Sequence, residues 1–343
     1  MKVPAVKYTG LWKYRSVLPP IKEKNIITSG EGEVAIERWN FLEKFALNSG
    51  IKCKVYAHRQ DTNPETGSFK DLSASLIASF LKENNVSDYV IASTGNMGVS
   101  VSRYLSKAGI KAHIFVPAKT SDDVIDMMLD DNQAVYRIEG TYEDAKKEAA
   151  KFAKKNKMRL SAGSCDPLRI AAKKTMVYEW YRKIKSFPTV YIQATSGGTG
   201  ALSVAQGIDE LLEYSSIYTS PRLLLCQPDK CSPMVDAWKK ALKKKFPFGW
   251  ENDYPKYTST NTVVSILSTL NPTAYPKVAK IVKKSGGSFL SVPEKELPYV
   301  SVYLQEQGIE VGFATLVAVG GFIEALNTSK ILDNDTVLIN IGD

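Results

Sequence analysis

The stretch that decides the fold is DYVIASTGNMGVSVSRYLSKAGIKAHIFVP, residues 88–117. Its apolar run Tyr89–Ser93 predicts a strand, Met97–Ala108 a helix, and Ala112–Val116 the next strand, joined by short turns. The same alternation extends both ways. Upstream, Lys54–Ala57 predicts a strand and Asp71–Glu83 a helix. Downstream come a helix near Asp122–Leu129, a strand at Ala134–Ile138 and a helix from Tyr142 to Lys155 capped by Thr141. After Arg169 a helix runs to about Ile184, followed by the strand Val190–Ala194, a glycine-rich turn and a helix towards Glu213. Further strands are predicted at Arg222–Gln227, Ser288–Val292 and Thr336–Ile341. This is the pattern of an α/β protein built on mostly parallel sheets flanked by helices. Residues 246–261, rich in Pro, Tyr, Trp and Gly, interrupt it and predict a long irregular loop, a candidate lid.

Composition narrows the function classes. The 343 residues are 44% hydrophobic, which allows a large core and suits two domains. A formal net charge of +9 favours an anionic ligand without naming one. The densest basic run, Lys239, Lys240, Lys243, Lys244 and Lys245, has the spacing of a solvated helix face, and no nucleic-acid motif accompanies it. Cys53, Cys165, Cys226 and Cys231 are scattered and, with only His58 and His113 to join them, suggest neither zinc nor a disulfide scaffold. The apolar stretch 314–326 is too short and glycine-interrupted to span a bilayer, and the first residues lack an apolar signal segment, so a cytoplasmic compartment is expected.

Three loops carry the chemistry. In NPETGSFKD, residues 63–71, a Pro- and Gly-containing turn delivers Lys70 to the first turn of a helix. The positive end of the helix dipole there favours the neutral amine that attacks aldehydes. Ser93-Thr94-Gly95-Asn96-Met97-Gly98 follows a parallel strand at its carboxyl end, where ligands bind, and Asn96 offers both a donor and an acceptor. Thr195-Ser196-Gly197-Gly198-Thr199-Gly200 links a strand to a helix through small residues whose amides and hydroxyls can surround a phosphate without a lysine. Neither GxxxxGK[ST] nor GxGxxG is present in it, which disfavours nucleotides. An aldehyde-capturing amine, a ring-side amide and a phosphate cradle match the three handles of pyridoxal 5'-phosphate.

With these loops in place the sequence resembles threonine synthase, of the fold-type-II pyridoxal-phosphate enzymes in the tryptophan synthase beta-like superfamily, from about Leu11 onward. The family motif NPTGSFKD reads here with Glu65 inserted, and STGN stands intact at residues 93–96. The form NPxRxxGxKT reads DPLRIAAKKT at 166–175, and Gln227, Cys231–Val235, Ala237 and Trp238 fall in another family-like stretch. The resemblance implies a two-domain fold, a large cofactor-binding domain of residues 1–74 and 183–343 with a small substrate-side domain of 75–182. It implies Lys70 as the Schiff-base and catalytic lysine, with Phe69 beside it, Asn96 at the pyridine 3-hydroxyl, and Ser196, Gly197, Gly198, Thr199 and Gly200 around the cofactor phosphate. It further implies a homodimer, and a substrate, O-phosphohomoserine, that gives threonine and phosphate. Ser93, Thr94, Ser164 and Arg169 match the groups that hold substrate.

The sequence departs from the family close to this site. Met97 and Gly163 replace a Thr and an Asn of the substrate-phosphate set, and Ile341 stands where the hydroxyl at the pyridine nitrogen is expected, unless Asn340 takes its place. GEGxTPL survives only as GEGEVAI at 30–36, and EPASA reads GFATL at 312–316. A related dehydratase or β-replacement enzyme acting on serine, threonine or a phosphorylated amino acid is the alternative. A catalytically silent homologue that binds the cofactor or a metabolite is the alternative of another class.

Overall fold

The computed structural model describes residues 8–93 and 95–342. In chain order the regular elements are β1 (Ile36–Arg38), α1 (Asn40–Asn48), β2 (Lys54–Arg59), α2 (Lys70–Glu83), β3 (Asp88–Ala92), α3 (Asn96–Ala108), β4 (Lys111–Pro117), α4 (Asp122–Asp130), β5 (Ala134–Ile138), α5 (Tyr142–Asn156) and β6 (Arg159–Leu160). They continue with α6 (Pro167–Lys183), β7 (Val190–Ala194), α7 (Thr199–Glu213), β8 (Arg222–Pro228), α8 (Pro233–Lys243), α9 (Tyr275–Lys284), β9 (Ser288–Val292), α10 (Leu297–Gln305), α11 (Phe313–Asn327) and β10 (Thr336–Ile341). The expected α/β alternation is present. Sequence reading did not find β1 or β6, which at three and two residues are too short to show a period.

Two compact units emerge, one of residues 1–33 with 62–173, the other of 34–61 with 174–343. These bounds differ from the expected 1–74 with 183–343 and 75–182. The whole of α2 lies in the first unit, because its buried serines tie it there: Trp12 Nε1 donates to Ser75 Oγ, and Ile27 N donates to Ser79 Oγ.

The first unit carries a parallel sheet in the order β5-β4-β3-β6. Helix α5 lays Ala145, Ala149 and Ala153, one residue every four, against it. Its start has the anticipated cap: Thr141 and Asp144 exchange side-chain to backbone hydrogen bonds. Helix α3 ends at Gly109, whose φ of +72° is the left-handed stop that glycine supplies.

The second unit carries a sheet in the order β1-β2-β10-β7-β8-β9, parallel except for the antiparallel pair β1–β2. Every residue of β10 is buried, as suits a central parallel strand covered on both faces. The apolar α11 packs on β7, β8, β9 and β10. It comes close because of its glycine pair: a Cβ on Gly321 would stand 2.1 Å from Cys226 Sγ, and one on Gly320 2.6 Å from Val292 Cγ1. The apolar run at 314–326 is thus a core helix, and among the described residues no helix is long and apolar enough to cross a membrane. The basic run lies on and just beyond α8, with its five lysines exposed while Met234, Val235, Trp238 and Ala241 are buried. In the irregular segment 246–261, Phe246 and Trp250 stack edge-on against each other and against Trp238, which anchors its first half.

One buried histidine gives this unit a pH dependence. Trp180 Nε1 donates to His58 Nδ1 at 2.9 Å, so the neutral ring carries its proton on Nε2, and the Gln60 side-chain amide 2.8 Å away must turn its oxygen to accept it. Burial pushes the ring down to about 3. The unfolded chain therefore binds the proton first, near about pH 6.5, and the stability His58 contributes above that value is lost as pH falls towards about 3. Between pH 7 and pH 5 the wild type should lose about 2 kcal/mol more than His58→Gln, read from urea denaturation midpoints.

Candidate active site

In the first unit, the loop before α2 is organised by Asp71. Its carboxylate, wholly buried, accepts the backbone amides of Glu65 and Thr66, both at 3.0 Å, the Thr66 hydroxyl at 2.7 Å and the Ser100 hydroxyl at 2.6 Å. Gly67 turns the chain at φ +57°, which few other residues tolerate. Gly32 N donates to Asn63 Oδ1 at 2.8 Å, so the GEGEVAI segment braces the start of the loop. The inserted Glu65 lies in this loop without breaking it. Burial raises its carboxyl, but hydrogen bonds from Lys107 and Ser29 and the charges of Lys107 and Arg103 hold it below the ordinary carboxylate range. Arg103 also donates to the Glu65 carbonyl.

Lys70 then opens α2, half-buried, its Nζ 5.5 Å from the centre of the Phe69 ring. A second amine shares that ring: Lys173 Nζ lies 4.2 Å from its centre, and Lys173 is 4% exposed. Burial, then the charges of Lys70 and Arg169, push the Lys173 amine well below the ordinary lysine value. Sequence reading passed over Lys173. Its spacing of four from Arg169 puts both on one side of α6, but nothing in the sequence separates a buried helix lysine from an exposed one.

Arg169 sits in the first turn of α6, which Asp166 caps by accepting the Leu168 amide at 2.9 Å. Its Nη2 donates to Ser161 Oγ at 2.7 Å, while its Nε is buried without a partner among the described residues. Ser164 is half-buried in a single 3-10 turn, Gly163–Cys165, just before α6, and Gly163 takes φ +65°. Ser93 Oγ accepts the Gly98 amide at 2.8 Å and so helps close the start of α3, the capping alternative for this loop. Asn96, half-buried, is the first residue of α3, and Met97 follows it. Thr94, expected to touch substrate, lies outside the described residues.

In the second unit, the turn from β7 to α7 has the form expected of an anion cradle. Gly198 takes φ +91° and precedes Thr199, whose amide opens α7 together with those of Gly200 and Ala201, where a helix has no internal acceptors. The left-handed φ makes glycine the fitting residue at 198, where a Cβ would also stand 2.7 Å from Val278 Cγ2, whereas a Cβ on Gly200 would meet the end of the Gln193 side chain, with Nε2 2.1 Å away. Ser196 Oγ is hydrogen-bonded to Thr269 Oγ1, a residue that no motif singled out. Gly197 completes the turn. On β10, Asn340 is buried and its Oδ1 has no partner among the described residues, nor has Gln193 Oε1 on β7. Ile341 is fully buried, and Gly342 N donates to Thr315 Oγ1 at 2.9 Å.

Each unit carries groups that suit part of pyridoxal phosphate: the first an amine at a helix start, the second a glycine turn at a helix start and a buried acceptor at Asn340. The profile of the family described as "pyridoxal-phosphate dependent enzyme" matches residues 28–343. The chain belongs to that family. Pyridoxal 5'-phosphate is accordingly the cofactor. This family member is 27% identical to the threonine synthase of Methanocaldococcus jannaschii over 97% of its own length and 79% of that protein's. It is 24% identical to the cysteate synthase of Methanothrix thermoacetophila, over 98% and 80%. Its fold is also that of processed threonine deaminase isoform 2 from Solanum lycopersicum, with TM-score 0.72 and 18% identity over 99% of this chain and 92% of that one. Among the described residues no cluster of His, Cys, Asp and Glu could hold a metal, and Cys53, Cys165, Cys226 and Cys231 are all free thiols.

Asp71→Ala removes four hydrogen bonds to a buried carboxylate. It should lower unfolding free energy by about 3 kcal/mol in urea denaturation, against about 1 kcal/mol for Ser100→Ala.

Proposed function

We propose that this chain is a threonine synthase-like carbon–oxygen lyase that converts O-phosphohomoserine and water to threonine and phosphate. Support comes from the relatives and from one observation in particular: an arginine fork at 169 that is oriented by Ser161 yet keeps a buried Nε with no partner among the described residues. A planar guanidinium left partly unsatisfied in a buried setting suits the oxygens of a phosphate monoester.

Lys70 would hold the cofactor as a Schiff base, with Phe69 beside it, Asn96 at its 3-hydroxyl and Ser196, Gly197, Gly198, Thr199 and Gly200 around its phosphate. We assign its pyridine nitrogen to Asn340, whose amide oxygen, unpartnered among the described residues, would accept from the protonated ring nitrogen, where the hydroxyl missing at Ile341 would donate to an unprotonated one. The cofactor, when bound, supplies an electron sink for carbanions formed on the amino acid. The chain's own work is to position and to move protons. Lys70 Nζ would take protons from the α- and β-carbons and return them at the γ- and α-carbons. Arg169, with Ser164, orients the γ-phosphate as it leaves with the C–O bonding pair, and water then adds at the β-carbon. Ser93 Oγ, which accepts the Gly98 amide at 2.8 Å and donates to the Gly95 carbonyl at 3.3 Å, would turn that hydroxyl proton to a phosphate oxygen, and Thr94 is placed beside it by sequence. A homodimer in the cytoplasm belongs to the same reading.

A second reading, β-replacement on a phosphorylated amino acid, is favoured by the cysteate synthase relative and by Met97 and Gly163, which remove two donors of the threonine synthase set. Phosphate release from O-phosphohomoserine, with threonine as co-product, tests the first reading. Phosphate release from O-phosphoserine only with an added nucleophile supports the second, and ammonia with a keto acid from serine or threonine contradicts both. Arg169→Gln should raise KM for the phosphorylated substrate by about tenfold or more with the cofactor's visible absorption intact, whereas Lys70→Ala should abolish turnover.

A further inference from the structure

We propose that Lys173 is a specificity-determining residue that binds the anionic side-chain group of the substrate together with Arg169, supplying the charge that Met97 and Gly163 do not. This rests on the reading that the substrate carries a phosphate.

The argument begins with cost. A lysine 4% exposed has surrendered almost all of its hydration. Two other cations, Lys70 and Arg169, act on it, and no carboxylate offsets them among the described residues. What it has is the face of the Phe69 ring at 4.2 Å, a weak compensation shared with Lys70. A helix position one turn after Arg169 could hold methionine or leucine at no such cost, so the amine is unfavourable for folding alone. The arrangement becomes favourable once a dianion enters: it offsets the neighbouring positive charge, gives the buried Arg169 Nε an acceptor, and favours the charged, donating form of the Lys173 amine. The chemistry recognised is a compact group with two negative charges on tetrahedral oxygens, a phosphate monoester.

The test uses the cofactor-loaded protein, in which the cofactor's own phosphate fills the Ser196–Gly200 turn, and inorganic phosphate as probe. Lys173→Met keeps the volume and removes the amine. Phosphate should raise the melting temperature of the wild type, and its dissociation constant should rise about tenfold or more in Lys173→Met, with Lys173→Arg recovering most of the loss. In the absence of phosphate, Lys173→Met should melt at the same temperature as the wild type or higher, with visible absorption unchanged. A lower melting temperature with unchanged phosphate affinity would mean that Lys173 is structural and would overturn the proposal, as would a wild type that phosphate does not stabilise. If phosphate binding depends on Lys173 but O-phosphohomoserine is not turned over, the threonine synthase reading fails and this one stands.

Discussion

A single buried carboxylate, that of Asp71, fixes the geometry on which the chemistry depends. It accepts four hydrogen bonds, two from the backbone of the preceding loop, one from Thr66 and one from Ser100 on α3. The loop therefore cannot shift without leaving a buried charge unsatisfied. Lys70 is the adjacent residue, so its backbone position follows from that of Asp71. The same constraint explains why the insertion of Glu65 is tolerated. The extra residue donates its amide to Asp71 and turns its side chain to Lys107 and Ser29, away from the anchor.

The two units meet their tasks by different physics. In the second, charge plays little part around the β7–α7 turn: helix-start amides and small side chains line it, and Gly198 takes a left-handed φ with Val278 in the space a side chain would need. In the first, burial and the charges of Lys70 and Arg169 act together on the Lys173 amine.

Much of this was legible in the sequence, and what was not has identifiable reasons. The strands Val190–Ala194, Ser288–Val292 and Thr336–Ile341 match their expected bounds, since each is an apolar run closed by turn residues. Lys70 and Arg169 were visible through the motifs around them. Lys173 was not, because an exposed lysine on a helix and a buried one read alike until packing is known. The pairing of Ser196 with Thr269 spans 73 residues and left no local signal. The expected domain bounds differ from the compact units because a chain that leaves a unit at residue 34 and returns at 62 marks neither point with a linker composition.

The central claim is that Lys70, and not its neighbour Lys173, carries pyridoxal phosphate. Reducing the yellow protein with borohydride and mapping the pyridoxyl group by peptide mass spectrometry tests it most directly. The account predicts the adduct on the peptide containing Lys70, with Lys173 unmodified. An adduct on Lys173, or none on either, would contradict it.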